Sequence, residues 1–217
     1  NITTRVALEK ELSQAIDQQQ FQLYYQIQLD DSLHPLGAEA LIRWNQPERG
    51  LISPIDFIPV AEQNGAILTI GQWVLDTACV QLKVWEQSEV TRDLTLSVNV
   101  SAKQFHQAGF TSQIMMAVQQ HAINPALLKL ELTESLLLDD IEGTITKMKT
   151  LAVIGIQFSL DDFGTGYSSL QYLKRLPLYQ LKIDKSFVDD IVSGNNDQVI
   201  VRTIIAMAHS LGLSVIA

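Results

Sequence analysis

The sequence is poor in the residues that would point to several common classes of protein. Its 217 residues include a single cysteine, Cys79, so an intramolecular disulfide is excluded and a reducing compartment is indicated. Cys79 stands among apolar residues and is expected to be a small core residue rather than a nucleophile. Lys and Arg number 15 against 24 Asp and Glu, a net charge of −9 without long basic tracts. A polymeric nucleic acid is therefore not an expected partner.

Long apolar runs and low-complexity linkers are also scarce. The most apolar stretch, residues 203–217, contains His209 and Ser210 and is too short to span a bilayer. A secretory leader is not recognisable at Asn1, which is not a natural start. We expect one cytoplasmic domain over residues 1–217, entered through a helix at 1–20, in a parent protein that can be anchored to the inner membrane elsewhere.

Apolar runs typical of strands alternate with segments of helical periodicity. The strand-like runs cover residues 21–29, 37–44, 94–101, 128–135, 156–162, 179–185 and 213–217, and the helix-like segments residues 71–86, 111–121, 142–153 and 197–211. This order predicts an α/β fold with a parallel sheet, and the number of units favours a modified TIM (β/α)8 barrel. An open doubly wound sheet is the alternative, but a glycine-rich dinucleotide fingerprint is missing after the first strand.

Oxygen-bearing side chains and one lysine recur at or near the ends of these strand-like runs. They are Glu39, Asn99, Glu131, the adjacent Asp161 and Asp162, and Lys182. Their spacing is about one βα unit at each step from Asn99 onwards, and catalytic residues of such barrels collect at the carboxyl ends of the strands. We therefore expect them round one rim.

Crowded carboxylates need a counter-charge, and oxygen-only ligands suit Mg²⁺ or Mn²⁺ better than zinc. Successive strand residues point to opposite faces, so Asp161 and Asp162 can serve one site only where the strand is ending. Two ions held in this way would activate a water for phosphoryl displacement.

Each of these residues also has a plainer explanation. Asp161 can be a turn or helix-cap residue, Glu131 an outward-facing strand position and Lys182 a side chain reaching solvent from a half-buried strand. Recurrence over consecutive units argues against these explanations jointly. The four histidines have no ligand-like spacing. The DFG triplet at 162–164 lacks the other kinase motifs.

The motifs themselves resemble those of a known family. The stretches EALIR at 39–43, NVS at 99–101, ELTES at 131–135, LDDFGTGYSSL at 160–170 and LKIDKSFV at 181–188 are similar to the EAL-domain family of bacterial cyclic di-GMP phosphodiesterases. The resemblance covers nearly the whole chain. It implies a modified TIM barrel that hydrolyses cyclic di-GMP to linear pGpG with two Mg²⁺ or Mn²⁺ ions.

The resemblance also implies a role for each site residue. The implied metal ligands are Glu39, Asn99, Glu131, Asp161 and Asp162. Lys182 matches a lysine that orients the hydrolytic water, and Glu134 a glutamate that holds the DDFGTGYSS loop, a segment (162–170) that also implies a homodimer contact. Substrate contacts are implied for Gln26, Arg43 and Asp162.

The sequence departs from the family in two places. Ile27 stands where proline is usual after Gln26. The family also continues beyond SVIA at 214–217 with a further glutamate ligand, a strand and a helix, so the resemblance implies that these belong to a longer chain and that this span alone is inactive.

Two other functions stay open at the level of sequence. An EAL domain without turnover would act as a cyclic di-GMP receptor, although the intact ligand set argues against this. Acidic residues followed by a lysine on barrel strands also suit an enolase-type proton abstraction. The first residues resemble a junction after an upstream diguanylate cyclase or sensor domain.

Overall fold

The computed structural model of the protein describes residues 2–138, 140–164, 170–189 and 195–217. The chain divides into two compact units, residues 1–127 and 128–217. Each unit has its own strands and helices.

Among its described residues, the first unit contains four strands, five α-helices and a short 3-10 helix, Pro125–Leu127. The strands are β1 (Phe21–Leu29), β2 (Pro35–Gln46), β3 (Gly50–Ile52) and β4 (Thr95–Asn99). The helices are α1 (Ile2–Ala15), α2 (Pro54–Asn64), α3 (Ile67–Trp85), α4 (Ala102–Phe105) and α5 (Phe110–His121).

Strands β1 and β2 form an antiparallel hairpin that packs one face against aromatic side chains. Phe21 lies 5.8 Å from Trp44, 5.7 Å from Phe57 and 5.8 Å from Trp73, measured between ring centroids. Trp44 and Phe57 are fully buried. Burial of such rings contributes about 2 to 3 kcal/mol each, and it fixes which residues of the hairpin face away from the core.

Strand β2 also pairs antiparallel with β3 and parallel with β4, and the parallel pairing brings two site motifs side by side. Gly37 to Ala40 of β2 pair with Thr95 to Val98 of β4. A Cβ atom on Gly37 would lie 2.3 Å from the Thr95 carbonyl oxygen, so only glycine permits this approach. The long helix α3 follows the hairpin and buries eight apolar or small side chains at helical spacing.

The second unit is a parallel sheet with helical crossovers. Its strands are β5 (Leu128–Thr133), β6 (Gln157–Phe163), β7 (Gln180–Ile183) and β8 (Ser214–Ile216), in that order across the sheet. Its helices are α6 (Ile141–Val153), α7 (Leu170–Leu173), α8 (Lys185–Asp189) and α9 (Asn195–Ser210). The buried positions of β5, β6 and β7 are mostly apolar, but they include Lys129, Glu131, Ser159 and Gln180.

The seven strand-like runs of the sequence all form strands, and the four helix-like segments all form helices. The sequence predicts a parallel sheet, but the first two strands, β1 and β2, are antiparallel. The structure also contains the helix α2, which the sequence analysis did not predict. Pro54 lies in its first turn, and Gly65 ends it in the left-handed region of backbone conformation.

Candidate metal-binding centre

In the first unit, Glu39 and Asn99 are brought together by the parallel pairing of β2 and β4. Glu39 is only 7% exposed and lies where that pairing ends. The Asn99 amide nitrogen Nδ2 donates to Glu39 Oε1 at 2.7 Å. That bond does not use the Asn99 amide oxygen, which is a suitable ligand for a hard cation. The two residues thus form one acidic, oxygen-rich pair.

Residues just beyond Asn99 fix the direction in which the chain leaves β4. Ser101 caps α4 by accepting a hydrogen bond from the Gln104 amide, and Gln104 Oε1 accepts from the Ser101 amide in return. This reciprocal capping box satisfies donors at the helix start. It explains why the NVS motif carries a serine two residues after its asparagine.

Gln26 and Arg43, for which the family resemblance implies substrate contacts, lie on the same hairpin as Glu39. Gln26 is the direct cross-strand neighbour of Glu39. Arg43 donates from Nη1 to the Ile42 carbonyl at 2.9 Å, and its Cζ lies 5.5 Å from the centre of the Tyr24 ring. An arginine held in this way presents a fixed positive group beside the hairpin.

In the second unit, a lysine links two carboxylates on neighbouring strands. The Lys182 Nζ lies 3.1 Å from Glu131 Oε2 and 3.4 Å from Asp161 Oδ2. Each of the two carboxylates offers an oxygen within 4.8 Å of the other. The Glu131 side chain is fully buried, so its charge requires a close cation. The alternative that Glu131 faces solvent is thereby excluded.

Asp162 shows how two adjacent aspartates are accommodated at a strand end. Its φ is +56°, and the pairing of β6 with β7 shifts register between Leu160 and Phe163. The Asp162 amide donates to Asp161 Oδ1 at 2.9 Å. A left-handed residue in a bulge breaks the strict alternation of faces, and aspartate tolerates this conformation better than most residues.

The surroundings of Asp162 raise the pKa of its carboxyl group. Burial raises the pKa of Asp162, the neighbouring Asp161 and Asp184 raise it further, and Lys182 acts in the opposite direction. Hydrogen bonds from the Ser186 hydroxyl and amide lower the pKa of Asp184. Asp184 was not singled out in the sequence, although it follows directly after the strand that bears Lys182.

A second residue missed by the sequence analysis is Lys129. It is 3% exposed, donates to Gln180 Oε1 at 3.0 Å and lies 5.5 Å from the Tyr179 ring. Burial lowers its pKa, and the charge of Glu131 acts against that shift. The signal was available, because alternation in LKLEL places Lys129 on the face of Glu131.

Glu134 is buried and begins a turn of 3-10 helix, Glu134–Leu138, directly after β5. Of the loop that the sequence analysis assigned to it and to a dimer contact, residues 165–169 lie outside the described residues. Gly164 has a φ of +104°, and a Cβ atom there would lie 3.0 Å from the Phe187 ring. Glycine suits this position because it tolerates the positive φ and has no side chain to contact the Phe187 ring.

Comparison with known proteins shows the family of this chain. The family model described as EAL domain matches residues 9–217. The chain belongs to the EAL-domain family. Within that family, it is 40% identical over its whole length to the bifunctional diguanylate cyclase/cyclic di-GMP phosphodiesterase MucR of Pseudomonas aeruginosa, and 41% identical over 99% of its length to the cyclic di-GMP phosphodiesterase NbdA of the same organism.

A solved structure confirms the fold class. The PaMucR phosphodiesterase in complex with c-di-GMP superimposes with a TM-score of 0.93 and 41% identity, over 96% of this chain and 85% of that one. The EAL-domain chain accordingly has the TIM-barrel-like α/β fold predicted from its sequence.

The match is partial on the side of the curated relatives. The chain spans about a third of their length, 32% of MucR and 28% of NbdA.

Among the helices in the described part of the chain, none is long and apolar enough to cross a membrane.

Proposed function

We propose that this EAL domain, taken as one domain over residues 1–217 of its parent, hydrolyses cyclic di-GMP to linear 5′-pGpG with the help of two Mg²⁺ or Mn²⁺ ions. The observation that carries the proposal is the pair of acidic side chains Glu131 and Asp161 joined by the Lys182 amine. Family membership supports the choice of substrate, since MucR and NbdA are both named as cyclic di-GMP phosphodiesterases.

Hard divalent ions fit the donor set. The proposed ligands are Glu39, Asn99, Glu131, Asp161 and Asp162, all of them oxygen donors. Mg²⁺ and Mn²⁺ prefer carboxylate and carbonyl oxygens. When bound, such ions lower the pKa of a water and offset negative charge on a phosphodiester. The raised pKa of Asp162 is the expected behaviour of an acidic group that a cation would keep ionised.

The chain's own residues account for the remaining steps. Lys182, close to Glu131 and Asp161, would orient the attacking water and keep its proton-accepting neighbours in place. Arg43 would contact a phosphate of the substrate, and Gln26 another part of it. Glu134 would hold the loop that follows β6, as the family resemblance implies.

A hydrolysis assay with separated products tests this proposal. The domain, as part of the longer parent chain that the family resemblance implies, is incubated with cyclic di-GMP and Mn²⁺, and the products are resolved by chromatography. We expect conversion to pGpG that stops with a chelator and is lost in Glu39→Ala. The control is Glu48→Ala, an exposed acidic residue between β2 and β3, which keeps the wild-type rate.

A second readout does not depend on turnover. Mn²⁺ should raise the melting temperature of the wild type, because a ligand that binds only the folded state stabilises it. Asp161→Asn should abolish the rise. Binding of cyclic di-GMP without conversion would make the domain a receptor, and activity on carboxylate substrates would favour the enolase-type alternative.

Partners and location follow from the same proposal. We propose that the domain acts in the cytoplasm, as a homodimer formed through the 162–170 region, beside an upstream diguanylate cyclase or sensor domain. The upstream domain is supported by the relative MucR, which is named as a bifunctional diguanylate cyclase/cyclic di-GMP phosphodiesterase. Light scattering of the protein would test the dimer.

A further inference from the structure

Two adjacent tyrosines of β1 lie on opposite faces of the hairpin. The pairing places Gln26 opposite Glu39 and Tyr24 opposite Leu41. Because alternate residues of a strand share a face, Tyr24 lies on the face of Gln26 and Glu39, and Tyr25 lies on the other.

Tyr25 has a structural explanation. Its ring centroid is 5.8 Å from that of Trp85 on α3, and burial raises its pKa. It packs the hairpin against the helix, so an aromatic residue there needs no ligand.

The ring of Tyr24 has a different neighbour. Tyr24 is 49% exposed, against 38% for Tyr25, and the group beside its ring is the Arg43 guanidinium, whose Cζ lies 5.5 Å from the ring centre. Arg43 is anchored in turn by its bond to the Ile42 carbonyl. An exposed aromatic face beside a fixed cation is therefore presented on the same face as Glu39.

Such a combination recognises a planar base that carries a phosphate. Bases stack on aromatic rings through their π-faces, and a guanidinium contributes both stacking and charge to a phosphate. The chain has a net charge of −9, so a local cation is required wherever an anionic ligand is to bind.

We propose that Tyr24 stacks on a purine base of the nucleotide substrate and that the Tyr24–Arg43 pair sets the affinity of the site for that base. The inference rests on the proposed function, because it takes the substrate to be a purine nucleotide. It assigns to Tyr24 a ligand contact that the sequence motifs did not indicate.

The test compares two substitutions in binding titrations carried out with a chelator, so that turnover cannot interfere. Tyr24→Leu keeps apolar bulk and removes the π-face, whereas Tyr24→Phe keeps the ring. Loss of one base stack corresponds to about tenfold or more in the dissociation constant. We expect that weakening for cyclic di-GMP in Tyr24→Leu, and less than about twofold in Tyr24→Phe.

Two smaller probes separate base stacking from a general structural defect. GMP carries the base, and ribose 5-phosphate lacks it. Tyr24→Leu should weaken the binding of GMP and leave the binding of ribose 5-phosphate unchanged. Equal weakening of both probes, or an unchanged dissociation constant for cyclic di-GMP, overturns the inference. Gln22→Ala, on the same face opposite Arg43, serves as the matched control and should bind GMP as the wild type does.

Failure of this inference can be told apart from failure of the proposed function. Hydrolysis by the wild type with an unchanged affinity in Tyr24→Leu overturns the stacking role alone. Base-dependent binding that is lost in Tyr24→Leu, in a protein that does not hydrolyse cyclic di-GMP with Mn²⁺, supports the stacking role and overturns the phosphodiesterase.

Discussion

At the scale of single residues, the clearest result concerns the two adjacent aspartates at the end of β6. The sequence predicts that Asp161 and Asp162 can share a site only where the strand ends. The structure meets that condition through a bulge and a positive φ at Asp162. The need for an irregular strand end could be predicted, but its form could not, since a bulge depends on the partner strand.

Lys182 gives the first prediction at this scale. Lys182→Met keeps the length of the side chain but removes the charge shared by Glu131 and Asp161. We expect the turnover number to fall by about 100-fold or more, the usual range for a residue that orients or exchanges a proton. Steady-state hydrolysis of cyclic di-GMP measures it. The control is Lys185→Met, whose side chain is 85% exposed, and an equal loss in both variants would contradict the role.

Cys79 gives a prediction that depends on pH. Complete burial raises the pKa of its thiol to about 12 from an ordinary value of 9.0. In the folded protein the thiolate is therefore rare at pH 8, whereas the unfolded thiol ionises near pH 9. Since the folded form resists ionisation, this group lowers stability as pH rises from about 9 towards 12.

A thiol reagent checks that assignment directly. With Ellman's reagent at pH 8 we expect very slow reaction of the native protein and a full equivalent after unfolding in guanidinium. As Cys79 is the only cysteine, the signal is unambiguous. Rapid reaction of the native protein would show that the thiol is accessible and that its burial is misassigned.

At the scale of elements, the long strands and helices were predicted from the sequence, whereas the antiparallel direction of the β1–β2 pair was not. In LKLELT, leucine at every second position suffices to predict a strand. The antiparallel β1–β2 pair was also within reach, because residues 30–34 are too few for a helical crossover. That connection is a tight turn in which Asp30 Oδ1 accepts from the amides of Ser32 and His34.

The helix α2 was missed although its signals are present. Ser53 and Pro54 mark a helix start, and Gly65 marks an end. The internal Pro59 obscured the pattern, because proline in a helix interior usually interrupts it. In the second unit, alternation in LKLEL could place Lys129 on the face of Glu131, but its hydrogen bond to Gln180, 51 positions away in the sequence, could not be predicted.

Gly71 on α3 gives the prediction at this scale. A Cβ atom there would lie 1.6 Å from Gln104 Nε2 and displace the side chain that forms the capping box with Ser101. Alanine favours a helix by up to about 1 kcal/mol over glycine. The lost cap and the overpacking outweigh this gain, so we expect Gly71→Ala to lower the free energy of unfolding by about 1 to 2 kcal/mol.

Chemical denaturation measures that change. The matched control is Gly109→Ala, where nothing lies within 4 Å of the added Cβ atom, and its free energy of unfolding should change by less than about 1 kcal/mol. Because α4 follows Asn99 closely, Gly71→Ala should also weaken Mn²⁺ binding. A variant as stable as wild type would show that Gln104 does not depend on the space left by Gly71.

At the scale of the whole molecule, each of the two units contains some of the residues on which the proposed function depends. The first unit contributes the Glu39–Asn99 pair and the hairpin with Arg43, and the second the Glu131–Lys182–Asp161 group. The sequence could predict the carboxylates, Asn99 and Lys182 because charged or amide groups inside apolar runs are unusual, whereas Arg43 was indicated only by the family resemblance. It could not predict their hydrogen bonds, which depend on strand register.

The most direct test of the central claim is hydrolysis of cyclic di-GMP in ¹⁸O-labelled water with Mn²⁺, read by mass spectrometry of the product. The account predicts pGpG that carries one labelled oxygen on the newly formed terminal phosphate, and loss of this product in Glu39→Ala. Tight binding of intact cyclic di-GMP without labelled product would contradict it, as would unchanged conversion in the Glu39→Ala variant.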